Sequence, residues 1–114
     1  MFTAETLRAW GADVDDGLRR CMNNEGFYLK LVGKAARDPS FDGLKAAVEA
    51  GDPDKGFEFA HALKGMMTNL SLTPISKPVV EITELLRSRT LTGCSPLLNE
   101  ILSQRDSLLA LMDA

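Results

Sequence analysis

The single histidine of this chain, His61, is the side chain with the most distinctive chemistry. A water-exposed imidazole is largely unprotonated near neutral pH and can act as a nucleophile without a dedicated base. Lys64, three residues further along, can offer positive charge to an anion bound above the ring. Gly65 lies one helical turn after His61, where glycine costs a helix about 1 kcal/mol relative to alanine. These three residues predict a nucleophilic site that a partner approaches closely and that handles a phosphoryl group.

The residues around His61 are predicted to form one amphipathic helix. Asp52 is a favourable N-cap, Pro53 suits the first helical position, and Asp54 places negative charge in the first turn. At about 100° per residue, the apolar residues fall on one side. The predicted buried stripe contains Phe59, Leu63, Met66 and Leu70, with Ala60 and Met67 on its flank. Met67 is interpreted either as a packing residue or as part of an adaptable contact surface.

The opposite side of this helix is predicted to face solvent and to carry His61. It also carries Asp54, Phe57, Glu58, Lys64, Gly65 and Thr68. Phe57, one turn before His61, is open to two interpretations: it contacts a partner, or it is a peripheral core residue. The residues predicted to dock a partner are Phe57, Glu58, Ala62 and Thr68.

Helix start and stop signals predict an all-α protein without strands. Thr3 and Asp13 are predicted to cap two short N-terminal helices, and Asn24 to cap a longer one that ends at Asp38-Pro39. Ser40 is predicted to cap the next helix, which is closed by a glycine just before the His61 helix. The predicted fold is an antiparallel helical bundle, with a four-helix core and additional short helices at the N-terminus.

The two helices after the His61 helix are less clearly bounded. Pro78 would remove a hydrogen bond from any helix already under way, so we expect a kink or a late start after Leu72. Ser95-Pro96 has the form of a cap followed by a first-turn proline, and it is predicted to begin the last helix. Cys94 would then lie in a loop and Cys21 in an early helix; both are predicted to be free thiols because neither has metal or redox spacing.

Composition and charge limit the classes of protein to consider. A chain of 114 residues with 45% hydrophobic content is sized for one domain, residues 1–114, with its own core. Its net charge of −3 and the lack of a basic cluster argue against a nucleic-acid partner. Because the start of the chain lacks signal-peptide features and no apolar run approaches ~20 residues, we expect a cytoplasmic protein with no membrane partner.

The sequence lacks the motifs of a self-sufficient enzyme. It has no phosphate-binding glycine-rich loop, and His61 has no serine, cysteine or carboxylate partner at a recognisable spacing. Asp13, Asp15 and Asp16 suit helix capping rather than metal binding. No cofactor or metal site is therefore predicted, and autonomous kinase or hydrolase activity is not expected.

The run from Ala60 to Gly65, Ala-His-Ala-Leu-Lys-Gly, resembles the hallmark of the histidine-containing phosphotransfer (HPt) domain family. The similarity is expected to extend over about residues 11 to 90. This chain departs from the family pattern in having methionine at Met66 and Met67, where small residues are common, and Ser71 where glycine is common. These departures concern packing and docking and leave the nucleophile in place.

The resemblance implies that His61 accepts a phosphoryl group from an aspartyl phosphate and donates it to the aspartate of another receiver domain. The protein would then be a phosphorelay intermediate without autonomous kinase activity. Lys64 would help to neutralise the phosphate, and Gly65 would leave room for the partner's active site. The implied partners are response-regulator receiver domains, which would bring Mg²⁺, and a hybrid histidine kinase; we expect the protein itself to be a monomer. The alternative is a helical adaptor that binds a receiver or another signalling protein through the same face without being phosphorylated.

Overall fold

The computed structural model describes residues 1–113, which form seven helices and no β-strand. The helices are α1 (Ala4–Trp10), α2 (Val14–Arg20), α3 (Glu25–Ala36), α4 (Ser40–Glu49), α5 (Pro53–Asn69), α6 (Thr73–Arg87) and α7 (Cys94–Asp113). The prediction of an all-α protein is confirmed. No helix in the described part of the chain is both long enough and apolar enough to cross a membrane.

Helices α4 to α7 form the four-helix bundle, as predicted. Each packs on the next along the chain, and α4 also touches α7, which closes the bundle. The connections between them are short, so consecutive helices can pack as neighbours. Helix α3 packs on α7, and the short α1 and α2 lie beside these elements at the N-terminal side.

Side-chain caps begin four of the helices at the predicted residues. Thr3, Asp13, Asn24 and Asp52 each accept a hydrogen bond from the backbone N–H three residues further on. Such caps satisfy donors that have no partner within the helix. The start of α5, and with it the position of His61 on the helix, is therefore set locally by the Asp52-Pro53 pair.

Two predicted helix starts lie too far along the chain. Ser40 is already the first residue of α4, and its N–H donates to the Asp38 carboxylate at 2.8 Å. Helix α7 begins at Cys94, so this thiol is helical and buried rather than in a loop. Burial raises the pKa of the Cys94 thiol. Cys94 and Cys21 are both free, as predicted.

Helix α6 does not start late. It begins at Thr73, immediately after Leu72, and continues through Pro78 to Arg87. Pro78 cannot donate to the carbonyl four residues earlier, a loss that normally weakens a helix. Its ring is buried, however, and the stripe around it is fully packed into the core. That stripe consists of Ile75, Val79, Ile82 and Leu86. Packing therefore outweighs the missing hydrogen bond.

The buried face of α5 is rotated from the predicted stripe. Its buried residues are Gly56, Ala60, Leu63 and Met67, whereas Phe59 and Met66 are only half-buried on the flank. A Cβ added at Gly56 would lie 3.2 Å from the Leu86 side chain, so α5 and α6 approach closely there. Small residues occupy the centre of the interface because larger ones would not fit between the helices. Met67 is a core residue, in agreement with the packing interpretation.

Candidate functional site

His61 lies in the middle of α5 on its exposed side. Ala60, just before His61, and Leu63, two residues after it, are fully buried. The backbone beneath the imidazole is therefore held by the bundle core. The cap at Asp52 fixes the start of the same helix. The fold therefore presents an imidazole to solvent from a rigid support, as the sequence predicted.

An aromatic ring lies directly beside the imidazole. Phe57 and His61 are stacked, with ring centroids 5.5 Å apart and an angle of 27° between their planes. Phe57 is half-buried and packs against the edge of the core. Of its two interpretations, the peripheral core contact agrees with this packing. Its contact with His61 gives the ring an additional role within the site.

A second helix contributes a cation that sequence reasoning missed. The guanidinium carbon of Arg87, at the end of α6, lies 5.0 Å from the centroid of the Phe57 ring. Arg87 also pairs with Glu84 at 3.3 Å. Nothing in the α6 sequence relates Arg87 to His61, because only the packing of α5 against α6 brings the two helices together.

Lys64 and Gly65 lie next to His61 along α5, as predicted. Lys64 is half-buried and Gly65 is exposed. A Cβ added at Gly65 would meet no atom within 4 Å, so internal packing does not require glycine at this position. The space over Gly65 is open to an approaching molecule.

The predicted docking residues are brought to the same side of α5. Glu58, Ala62 and Thr68 are exposed, and Phe57 is half-buried. Thr68 donates a hydrogen bond of 2.7 Å to the Lys64 carbonyl, which leaves its methyl group on the surface. These residues and His61 form one face, which we call the His61 face. It extends along α5 from Phe57 to Thr68.

A groove of about 470 Å³ separates α3 from α5 and reaches the His61 face at Gly65. It is lined by Leu31, Lys34, Ala35, Gly65, Met66, Asn69 and Leu70. Most of these side chains are apolar, and Lys34 adds an exposed cation at the rim. On the other side of α5, a hollow of about 430 Å³ lies between α5 and α6, beside Phe57 and Arg87.

Cations from three helices lie on or near the His61 face, which also carries the acidic residue Glu58. Lys64 lies on α5 itself, Arg87 on α6 and Lys34 at the rim of the groove. Arg89, beyond the end of α6, pairs with Asp54 at 2.6 Å, and Arg87 pairs with Glu84. Arg87 and Lys34 therefore bring positive charge from α6 and α3 to regions beside the His61 face.

The acidic residues near the N-terminus serve the scaffold. Asp13 caps α2, and Asp16 receives hydrogen bonds from Ser71, Arg19 and Arg20. The bond from Ser71 and the two arginines lower the pKa of the Asp16 carboxyl. Within residues 1–113, no three histidine, cysteine or carboxylate side chains are grouped as a metal site would require.

The fold and the site together define a helical bundle that displays one nucleophilic side chain on a supported face. Residues 38–114 match the family model of the Hpt domain, so the chain belongs to the Hpt domain family. Its role is therefore in phosphotransfer within two-component signalling, and domains of this family interact with receiver domains and kinases. The match begins later and ends later than the predicted span of residues 11 to 90. No curated protein and no solved structure showed a significant match.

Proposed function

We propose that His61 is the phosphoryl carrier of this domain. It takes the group from an aspartyl phosphate on one receiver domain and gives it to an aspartate on another. The observation that supports this proposal is the exposed imidazole on α5, with Lys64 and the open surface of Gly65 beside it. No other histidine is present in the chain.

In the forward step, an unprotonated ring nitrogen of His61 attacks phosphorus. The N–P bond forms while the acyl O–P bond breaks, and the electron pair of that bond leaves with the aspartate carboxylate. The proton on the imidazole is released to solvent. The reverse step, onto a second aspartate, breaks the N–P bond and forms a new acyl phosphate. No net oxidation or hydrolysis occurs in either direction.

Lys64 stabilises the phosphorylated form of His61 by charge, because the added phosphoryl group is dianionic near neutral pH. Gly65 lets the backbone of the partner come close to α5. The remaining contacts come from the His61 face, through Phe57, Glu58, Ala62 and Thr68. The groove between α3 and α5 adds an apolar surface that ends at Gly65.

The receiver supplies the Mg²⁺ that phosphoryl transfer needs, and this chain supplies the nucleophile and a docking surface. A hybrid histidine kinase is the proposed source of the phosphoryl group. We place the protein in the cytoplasm, where these partners act, and treat residues 1–114 as one domain that works as a monomer.

The test is transfer of ³²P from receiver domains of the source genome, each loaded with a small acyl phosphate. Wild-type protein should gain an acid-labile, alkali-stable label, and His61→Gln should gain none. The circular dichroism of the two proteins should agree, because the exposed ring contributes little to packing. The same label on His61→Gln would refute the proposal. A wild-type protein that binds phosphorylated receivers without ever gaining label would instead be the adaptor.

A further inference from the structure

Three side chains form a layered stack at the site: the guanidinium of Arg87, the ring of Phe57 and the imidazole of His61. Arg87 lies 5.0 Å from the Phe57 centroid, and the Phe57 and His61 centroids are 5.5 Å apart. The stack joins the end of α6 to the middle of α5. Through Phe57, the guanidinium of Arg87 on α6 is linked to the imidazole of His61 on α5.

Each layer of the stack restricts the next. Arg87 also pairs with Glu84 one turn earlier on α6, an exposed ion pair that restricts its guanidinium only weakly. Phe57 packs against the edge of the core on one side and beneath Arg87 on the other. An imidazole on an exposed helix face would otherwise move among its rotamers on a fast timescale. Stacking on the half-buried Phe57 ring favours the imidazole rotamer that keeps this contact.

Phosphoryl transfer between two bound proteins depends on alignment. The attacking nitrogen, the phosphorus and the leaving oxygen must lie roughly in line, and small displacements of the nucleophile reduce the rate strongly. The receiver fixes the position of phosphorus, so the orientation of the imidazole must be fixed by this chain. A stacked ring supplies that restraint without covering the nucleophile.

We propose that Phe57 and Arg87 are positioning residues for His61, with Arg87 acting through Phe57 to hold the imidazole in the orientation used for transfer. This inference rests on the proposed role of His61 as the phosphoryl carrier. It gives Phe57 a function inside the domain, in addition to any contact with a partner. It also brings α6 into the site.

The variants to compare are Phe57→Leu, Arg87→Gln and the matched control Arg89→Gln. Phe57→Leu keeps an apolar side chain but removes the ring. Arg87→Gln removes the guanidinium above that ring. Arg89→Gln removes an exposed cation just beyond the same end of α6, where it pairs with Asp54, whereas Arg87 is the arginine that lies over the Phe57 ring. The Arg89→Gln variant therefore controls for the loss of one positive charge, which Arg87→Gln also causes.

The first measurement is single-turnover transfer from a phosphorylated receiver over a range of receiver concentrations. Phe57→Leu and Arg87→Gln should both lower the rate at saturation by about 10-fold. The half-saturating concentration should stay within about twofold of wild type for Arg87→Gln, whereas Phe57→Leu should raise it as well, because Phe57 is also a proposed docking residue. Arg89→Gln should behave as wild type. Labelling by phosphoramidate should be equal in all four proteins, because a small, freely moving donor needs no fixed alignment.

The second measurement is the side-chain rotamer distribution of His61, from NMR couplings in the free protein. Wild type and Arg89→Gln should show one dominant rotamer, and the other two variants should show averaging. This experiment needs no phosphoryl transfer, so it tests the stack separately from the carrier role.

Several results would overturn the positioning role. Unchanged saturated rates would do so, as would a raised half-saturating concentration with an unchanged rate, which is the pattern of a docking contact. Equal losses in Arg87→Gln and Arg89→Gln would show an effect of charge alone. If wild type gained no label from either donor, the carrier role itself would fail. If wild type gained label but His61 showed the same averaged rotamers in wild type and in every variant, the stack would be rejected and the carrier role would stand.

Discussion

The hydroxyl of Tyr28 donates a hydrogen bond of 2.8 Å to the carbonyl of Leu70. Tyr28 lies on α3 and is fully buried, and Leu70 is the C-cap of α5. The bond therefore joins the N-terminal part of the chain to the end of the helix that carries His61. Burial raises the pKa of the Tyr28 phenol to about 12, so the group remains a donor at any working pH.

Replacing Tyr28 with phenylalanine should lower the free energy of unfolding by about 1–2 kcal/mol, because the Leu70 carbonyl loses its buried donor. The ring itself is retained, so packing should change little. Urea denaturation monitored by circular dichroism gives the value. Ser76→Ala is a suitable control, since the Ser76 hydroxyl makes only a 3.5 Å contact with the Thr73 carbonyl. A Tyr28→Phe protein as stable as this control would contradict the importance of the bond.

Gly17→Ala should destabilise the protein by overpacking. The added Cβ would lie 2.5 Å from an atom of the Tyr28 ring, which is fully buried and cannot move aside freely. Overpacking of this kind costs about 1–3 kcal/mol, more than the gain in helix propensity from alanine. Thermal unfolding should show a lower Tm for Gly17→Ala than for wild type. An unchanged or higher Tm would mean that Tyr28 shifts at little cost.

The fold was largely predictable from local signals. Thr3, Asp13, Asn24 and Asp52 were identified from sequence as caps, and all four accept the expected backbone hydrogen bond. Capping is a short-range effect, so the residue types and their spacing are sufficient to predict it. The start of α6 was not predictable in this way. Pro78 was expected to disturb the helix, and the energy that overcomes this effect comes from tertiary packing.

The site was predictable only where it lies on one helix. The exposure of His61 and Gly65 follows from the helical period of α5. The rotation of the buried face was missed because Gly56 and Ala60 carry little hydrophobic signal, although close helix packing buries them. Arg87 was missed because its relation to Phe57 depends on how α6 lies against α5. The period of each helix predicts which face is buried, but it does not show which residues of two helices meet.

Gly65 offers a test in which stability and transfer should change in opposite directions. Gly65→Ala should raise the free energy of unfolding by about 1 kcal/mol, because alanine is the better helix former and its Cβ meets nothing within 4 Å. Gly65→Gln should also be at least as stable as wild type, but its longer side chain should slow transfer from a phosphorylated receiver. Measuring the free energy of unfolding and the transfer rate of both variants separates an effect on folding from an effect on the approach of the receiver.

The transfer rate of Gly65→Gln tests whether the receiver docks on the open surface over Gly65. Equal transfer rates for Gly65→Gln and wild type would remove Gly65 from the docking surface. A comparable loss in Gly65→Ala, whose methyl group is small, would point to altered helix dynamics rather than to crowding. We expect the loss to increase with side-chain size, and labelling by phosphoramidate to be unaffected.

The contact between Ser71 and Asp16 should make stability depend on pH in the acidic range. Ser71 has a left-handed backbone, with φ of 57°, and its hydroxyl donates to the Asp16 carboxylate. That bond is the largest cause of the lowered pKa of Asp16, whose ordinary value is 3.8. Below that value the unfolded chain binds a proton that the folded protein still excludes. The stabilisation is therefore complete above about pH 4 to 5 and is lost as pH falls through the folded-state pKa.

Ser71→Ala keeps the backbone conformation and removes the hydroxyl, so it should raise the folded-state pKa of Asp16 toward the unfolded value. Urea unfolding at a series of pH values between about 2.5 and 6 should then show a shallower loss of stability than in wild type. Ser76→Ala removes a hydroxyl with no carboxylate partner and should retain the wild-type slope. If Ser71→Ala and wild type lose stability in parallel over this range, the Ser71 hydroxyl does not control the protonation of Asp16. Ser71→Gly adds a separate comparison, because glycine also relieves the left-handed strain and should be more stable than Ser71→Ala at pH 7 by about 1 kcal/mol.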